Sequence, residues 1–173
     1  IYFSESGDMY MDIFSDRDSP PTQLIHSSNG DIMHTLIGDR PEIKKEYDLQ
    51  TPELFTIPTS DGFMMPAQIL KPKDFNSVKK YPVIFHVYGG PSAPTVFDQW
   101  QGHSIFYDNM LLDQGYLVVK FDHRASTAIS KELENHILNA MSGPIERKDI
   151  VDGIKWLKSV SYTHLRAHET VHY

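Results

Sequence analysis

The chain contains no cysteine, which excludes disulfides and thiolate metal sites and leaves the redox compartment undetermined. It has no run near the roughly 20 apolar residues that a membrane-spanning helix needs. Basic residues are the minority, 16 against 23 acidic, for a net charge of -7. That balance argues against a nucleic-acid partner, since phosphate contacts need clustered Lys and Arg. No Gly-x-Ser-x-Gly occurs in the 173 residues, so the sharp turn that exposes a hydrolase's nucleophilic serine is missing. There is also no initiator methionine or signal peptide. Ile1 opens in a strand-like pattern, and the natural N-terminus is expected to lie upstream. The 40% hydrophobic and 12% aromatic content belongs to a folded chain, long enough for one domain or pieces of two.

Residues 1 to 48 read as all-β. Tyr2-Phe3 and Met9 to Phe14 are aromatic and β-rich around a Ser6-Gly7-Asp8 turn. Gln23 to His26 and Ile32 to Leu36 flank Asn29-Gly30, a hairpin signal because both residues tolerate positive φ. Fewer than about 50 residues of this kind cannot bury a core of their own. Short strands with tight turns suit a propeller blade or a sandwich edge. Gly38 to Thr51, charged and followed by Pro52, reads as a linker.

A different pattern follows. Leu54 to Ile57 and Ala67 to Leu70 bracket Ser60-Asp61-Gly62, a second hairpin. Pro82 to Val87 is a continuous apolar run, as expected for a strand covered on both faces. Ile105, Phe106, Met110 and Leu111 fit a helix ending at Gly115, and Tyr116 to Phe121 forms another buried strand. Ile129, Leu133, Ile137 and Met141 make one helical stripe. Ile150, Ile154 and Leu157, with Val151 beside them, make a second, on a helix starting at Gly143-Pro144 with Glu146 in third position. Strand, helix, strand, helix predicts an α/β layer fold with a parallel sheet. Cut off after two parallel strands, such a sheet is expected to expose an apolar face and an edge.

The chemistry centres on Tyr88-Gly89-Gly90-Pro91, directly after the run Tyr81 to Val87. Glycines let a backbone approach a substrate closely, and a phenol can donate to a tetrahedral oxyanion. The same residues also suit a simple turn with Tyr88 packed, and the motif alone leaves both readings open. Asp122-His123-Arg124 is better read as structural: Asp122 capping the following loop, Arg124 in an ion pair. Ser92, Ser104 and Ser126 lie on no strand-turn-helix elbow. His86, mid-strand, reads as a satisfied core residue. His164, His168 and His172 recur at helical spacing but without a His-Glu-x-x-His pattern, so no metal site is expected.

Taken in order, several segments resemble the dipeptidyl peptidase IV branch of the prolyl oligopeptidase family. Ser15 to Pro21 is similar to the end of its β-propeller, and Phe55 to Gly62 to the opening of its hydrolase domain. Tyr81 to Pro91 resembles the strand and loop bearing the oxyanion tyrosine. Asp122-His123-Arg124 and the run from Leu133 to Leu157, with Gly143, Glu146 and Asp149, resemble the elements that follow. The likeness implies terminal propeller strands over 1–48, the first half of an α/β-hydrolase domain over 49–159, and an unassigned tail over 160–173. It implies a serine exopeptidase removing Xaa-Pro or Xaa-Ala dipeptides from peptide substrates, without a cofactor. It leaves room for a homodimeric parent and for a periplasmic or secreted location.

By motif match only Tyr88 carries a role, as the side-chain oxyanion donor. The nucleophile elbow, its Asp and His, and the acids that grip the substrate amine match nothing here, so the chain is expected to be inactive alone. Ala125 to Ala128 replaces the glycines the family often has after the Arg. From Val160 the resemblance ends, and the tail reads as an out-of-frame or adapter-derived translation joined to a genuine fragment. Two other readings stay open: a non-catalytic interaction module, and a hydrolase of other esters or amides on the same fold.

Overall fold

Residues 1–126, 130–138, 143–160 and 162–164 are described by a computed structural model. The chain divides into two compact units: Ile1–Thr51 with Asp98–Tyr107, and Pro52–Phe97 with Asp108–Tyr173.

The first unit is an antiparallel meander of β1 (Tyr2–Phe3), β2 (Met9–Phe14), β3 (Thr22–Ser27) and β4 (Ile32–Ile37), side by side in chain order. The expected turns form where the backbone can reach positive φ, at Gly7 (73°) and Gly30 (96°). Tyr10 stacks on His26 across β2 and β3, with ring centroids 4.9 Å apart. Much apolar surface is left in the open: Phe3, Ile32, Met33 and Leu36 are all exposed. The charged segment expected as a linker holds a short helix, α1 (Pro41–Glu46), with Pro41 at its first turn.

The second unit is a layered α/β arrangement around a five-stranded sheet. Its order is β5 (Glu53–Pro58), β6 (Met64–Leu70), β8 (Leu117–Phe121), β7 (Tyr81–His86), β9 (Thr163–His164). The sheet is mixed. β7 and β8 run parallel, as expected, and β9 adds a further parallel strand beside β7, while the β5–β6 hairpin and its pairing to β8 are antiparallel. β9 corrects the expectation of an unassigned tail over 160–173. Thr163 and His164 pair with Tyr81 and Pro82, and the Tyr162 ring packs edge-on against Phe75. The histidine spacing beyond His164 lies outside the described residues.

Helices cover both faces. On one, Ile57, Met65, Ala67, Ile69, Leu117, Val119 and Phe121 form a core with Leu157 of α4 (Pro144–Ser159). Burying a side chain such as Phe121 or Leu157 contributes roughly 1.5–3 kcal/mol. On the other, Leu70 and Val118 pack with Leu111 and Leu112 of α2 (Ser104–Asp113). α2 ends as expected at Gly115, φ 83°, where the amides of Gly115 and Tyr116 donate to the carbonyls of Leu112 and Leu111. β7 is less enclosed than its apolar run suggested: Val83 to His86 are half-buried and Val87 is exposed.

Two helical stripes differ from expectation. Of the stripe from Ile129 to Met141, the ends lie outside the described residues. Between them the described residues hold a five-residue helix, α3 (Lys131–Asn135), where the Ser130 hydroxyl accepts from the Leu133 amide. In α4 the expected start holds, with the Gly143 amide donating to Glu146 Oε2 at 2.9 Å. Its buried face, however, is Glu146, Asp149, Asp152, Gly153 and Leu157. Ile150 and Ile154 are only half-buried, and Val151 is exposed.

Gly153 explains how closely this helix approaches the sheet. A Cβ there would sit 2.6 Å from two Phe121 ring carbons and 2.8 Å from Met65 Cε. Alanine at 153 would gain about 1 kcal/mol of helix propensity, but overpacking costs about 1–3 kcal/mol. Gly153→Leu, whose bulk cannot be absorbed, is therefore expected to lower the urea midpoint clearly and Gly153→Ala slightly. A leucine variant as stable as the parent would contradict this packing.

Candidate functional site

Parallel strands β7 and β8 end at the same edge of the sheet, with His86 paired to Lys120. In open α/β sheets the edge beyond the strand C-termini is where ligands bind. From β7 the chain passes through Val87 to Tyr88, and from β8 it passes to Asp122-His123-Arg124.

Tyr88 is 63% exposed, so its phenol is not packed into the core. Its ring folds back over Gly90, where a Cβ would lie 2.5 Å from a ring carbon. Gly90 is therefore required for the tyrosine's present pose, and Gly89 supplies positive φ at 75°. Ser92 also adopts positive φ, 50°, uncommon for a side-chain-bearing residue, and its amide donates to the Ala125 carbonyl at 3.0 Å.

Asp122 does cap a loop, though not the one that follows it. Its buried carboxylate accepts from the Thr95 amide at 2.8 Å, the Thr95 hydroxyl at 2.8 Å and the Val96 amide at 2.8 Å. The loop that leaves Tyr88 is thus fastened to the end of the neighbouring strand.

Arg124 is the structural cation expected from sequence, and its partners come from distant segments. Its Nε and Nη2 donate to the two oxygens of fully buried Asp149 at 2.9 and 2.7 Å, and its amide donates to Asp149 as well. Nη2 also reaches both oxygens of Asp61, at 2.8 and 3.0 Å, in the β5–β6 turn. The guanidinium lies over the Phe63 ring, 5.2 Å from its centroid. Asp61 further meets Lys148 Nζ at 2.8 Å, and Asp152 accepts from the Ser60 amide at 2.9 Å. Turn, strand end and helix are held as one piece.

These contacts shift the charges in the direction that favours them. Hydrogen bonds from Arg124, then Lys148 and Thr59, hold the Asp61 carboxyl well below the usual range. The Ser60 amide is the main cause holding Asp152 down at about 2. Asp149, then Asp61, makes the Arg124 cation harder still to deprotonate, against the opposing effect of burial.

Other sequence candidates fall into structural roles. Ser126 Oγ donates to the His123 carbonyl at 2.8 Å, Ser92 Oγ lies 3.3 Å from Glu134 Oε1, and Ser104 opens α2. His86 is not a core residue. Its side chain is 38% exposed, with Nε2 3.3 Å from Asp108, whose other oxygen is 3.3 Å from Lys120 Nζ. Gln68, Lys120 and His86 therefore form a polar row across three strands under α2. Two surface recesses, of about 460 and 320 Å³, are lined by charged groups that include neither Tyr88 nor Asp122. Among the described residues no helix is long and apolar enough to cross a membrane.

Tyr88, Asp122 and Arg124 stand out in the sequence, whereas Asp61 reads there only as part of a turn. The available signal was a strand-end Arg with acids at a hairpin turn and inside a helix, a pattern that periodicity does not weigh.

Over 112 residues the chain is 35% identical to dipeptidyl peptidase 8 of Mus musculus, and equally to that of Homo sapiens, covering 65% of this chain and 12% of the relative. It is 30% identical over 148 residues to a probable dipeptidyl-aminopeptidase B of Aspergillus terreus, covering 83% of this chain and 16% of the relative. A solved putative dipeptidyl aminopeptidase IV from Bacteroides ovatus superposes with TM-score 0.79 at 31% identity, over 93% of this chain and 23% of that one. Dipeptidyl peptidase 4 of Porphyromonas gingivalis superposes with TM-score 0.80, but at 23% identity that likeness is one of fold alone. No family model matches the chain.

Two outcomes follow from the cluster. Arg124→Ala leaves Asp149 as an uncompensated buried charge, and stability is expected to fall by about 3–5 kcal/mol in urea titration. A loss under about 1 kcal/mol, as for an exposed pair, would contradict the burial. Asp61 and Asp152 have depressed folded-state values, so their stabilisation is complete above the unfolded value near 3.9 and fades as pH falls towards 2. The thermal midpoint should decline steadily from about pH 5 to pH 2, and Asp152→Asn should flatten the lower part of that decline. An identical slope in the variant would count against the Ser60–Asp152 contact.

Proposed function

From its place in the dipeptidyl peptidase IV branch of the prolyl oligopeptidase family, we propose that the chain is part of a serine exopeptidase. The parent removes Xaa-Pro or Xaa-Ala dipeptides from the N-termini of peptides through an acyl-enzyme. Within it the chain supplies the last strands of a β-propeller, over 1–48, and the first half of an α/β-hydrolase domain, over 49–159. Its catalytic contribution is the Tyr88 hydroxyl, donating to the oxyanion of the tetrahedral intermediate.

The observation that carries this reading is the setting of Tyr88. The phenol is exposed at the C-terminal edge of parallel strands, its ring laid over Gly90, on a loop fastened by buried Asp122. Tyr81, by contrast, is packed in the core at 8% exposure. Oxyanion stabilisation needs such a donor already aimed when charge develops, because a donor that must reorganise loses most of its benefit. The donor acts on a serine outside this sequence. Alone, the 173 residues hold no nucleophile elbow and have no acyl chemistry to assist.

The test is kinetic. The full-length parent should release Xaa-Pro dipeptides from a chromogenic substrate and be silenced by a serine-directed phosphonate. The isolated chain should release none. Tyr88→Phe in the parent should lower kcat by about 10²–10³ with KM little changed, the usual cost of one oxyanion donor. A parent active on esters but not on Xaa-Pro peptides would sink the substrate assignment. A Tyr88→Phe variant with undiminished kcat would sink the role of the phenol.

A further inference from the structure

We infer that Asp122 is a positioning residue for catalysis, holding the Tyr88 loop in the one register from which the phenol can serve an oxyanion. This rests on the reading of Tyr88 given above and extends it to a residue that touches neither substrate nor nucleophile. Asp122 is 2% exposed, at the C-terminal end of β8, and spends its carboxylate on the loop that follows β7. The Thr95 amide lies 2.8 and 2.9 Å from its two oxygens, the Thr95 hydroxyl is 2.8 Å away, and the Val96 amide is 2.8 Å away. A charged acceptor holding two amides and a hydroxyl at these distances is a strong anchor.

The anchored loop has no regular secondary structure to hold it. Residues 89–97 form no helix or strand, and they include two positive-φ positions, Gly89 and Ser92. The second tie, from the Ser92 amide to the Ala125 carbonyl, also lands on the segment just after Asp122. Both of these ties refer the loop to one place, while the Ser92 hydroxyl reaches Glu134 of α3 at 3.3 Å, and that place is itself held by the Arg124–Asp149–Asp61 cluster two residues on. The order of dependence runs from ion cluster to Asp122, from Asp122 to Thr95 and Val96, and from that loop to Tyr88. A displacement of about 1 Å at a catalytic group can cost on the order of 10²-fold in rate, so loosening this anchor should register in kcat before it registers in binding.

A double-mutant cycle in the full-length parent decides the matter. Asp122→Ala should lower kcat by about 10- to 100-fold and change KM by less than about threefold. Asp122→Asn, which keeps one carbonyl oxygen as acceptor, should recover part of the loss. In a Tyr88→Phe background Asp122→Ala should cost less than about threefold more, because residues that act through one another are not additive. Amide hydrogen exchange at Thr95 and Val96 should accelerate in Asp122→Ala while β8 stays protected. If Asp122→Ala fails to fold, Thr95→Ala removes one tie and should give a few-fold loss of kcat that vanishes in the Tyr88→Phe background. If Tyr88→Phe lowers kcat but the second substitution costs its full factor on top, Asp122 does not act through Tyr88 and the inference is overturned. If Tyr88→Phe alone is silent, the oxyanion reading itself fails and this inference falls with it.

Discussion

The guanidinium of Arg124 lies between two carboxylates, one fully buried on α4 and one at the β5–β6 turn, and the geometry of the second unit depends on that contact. Asp149 without Arg124 would be a fully buried charge left uncompensated. Removing a charge from water costs several kcal/mol, and only close, hydrogen-bonded pairing offsets it. Arg124 meets Asp149 with its backbone amide and two guanidinium nitrogens, and still reaches Asp61. The result is less a source of net stability than a device of register. It sets where the hairpin turn and the helix sit relative to the end of β8.

The edge of the sheet inherits that precision. Because Asp122 is two residues from Arg124, its carboxylate is presented at a fixed place, and the loop after β7 folds onto it. The glycines do the complementary work. Gly90 leaves room for the Tyr88 ring, and Gly89 turns the chain at a φ most residues avoid. An exposed phenol on a flexible loop would spend most of its time elsewhere, whereas here both the loop and the ring are constrained. The chain spans 12–16% of the length of the curated relatives described above.

Local signals made much of the fold legible. Asn29-Gly30 and Ser60-Asp61-Gly62 marked hairpins because their backbones reach positive φ, and Gly115 and Gly143-Pro144 marked helix ends because their chemistry suits those positions. What escaped was set by tertiary contact. Apolar periodicity placed Ile150 and Ile154 in the core of α4, yet the helix buries Asp149, Asp152 and Gly153, because it packs over a cation and an aromatic ring. Apolar periodicity carries no trace of a carboxylate that is buried with its partner. The short helix at Pro41 was hidden by its charge. Thr163-His164 was hidden by its brevity, since two residues become a strand only when β7 offers them an edge. At the site, Tyr88 and Arg124 could be named from sequence, but the direction of Asp122 could not, because its partners lie 26 and 27 positions away.

Under the proposed role, the Tyr88 hydroxyl faces the oxyanion of the tetrahedral intermediate. The most direct measurement is a crystal structure of the full-length protein with its nucleophile trapped by a peptidyl boronate or phosphonate. The account expects the Tyr88 oxygen about 2.7–3.1 Å from the tetrahedral oxygen of the adduct, with the Asp122 contacts to Thr95 and Val96 intact. An adduct whose oxygen is served only by backbone amides, with the phenol turned out to solvent beyond hydrogen-bond reach, would contradict it.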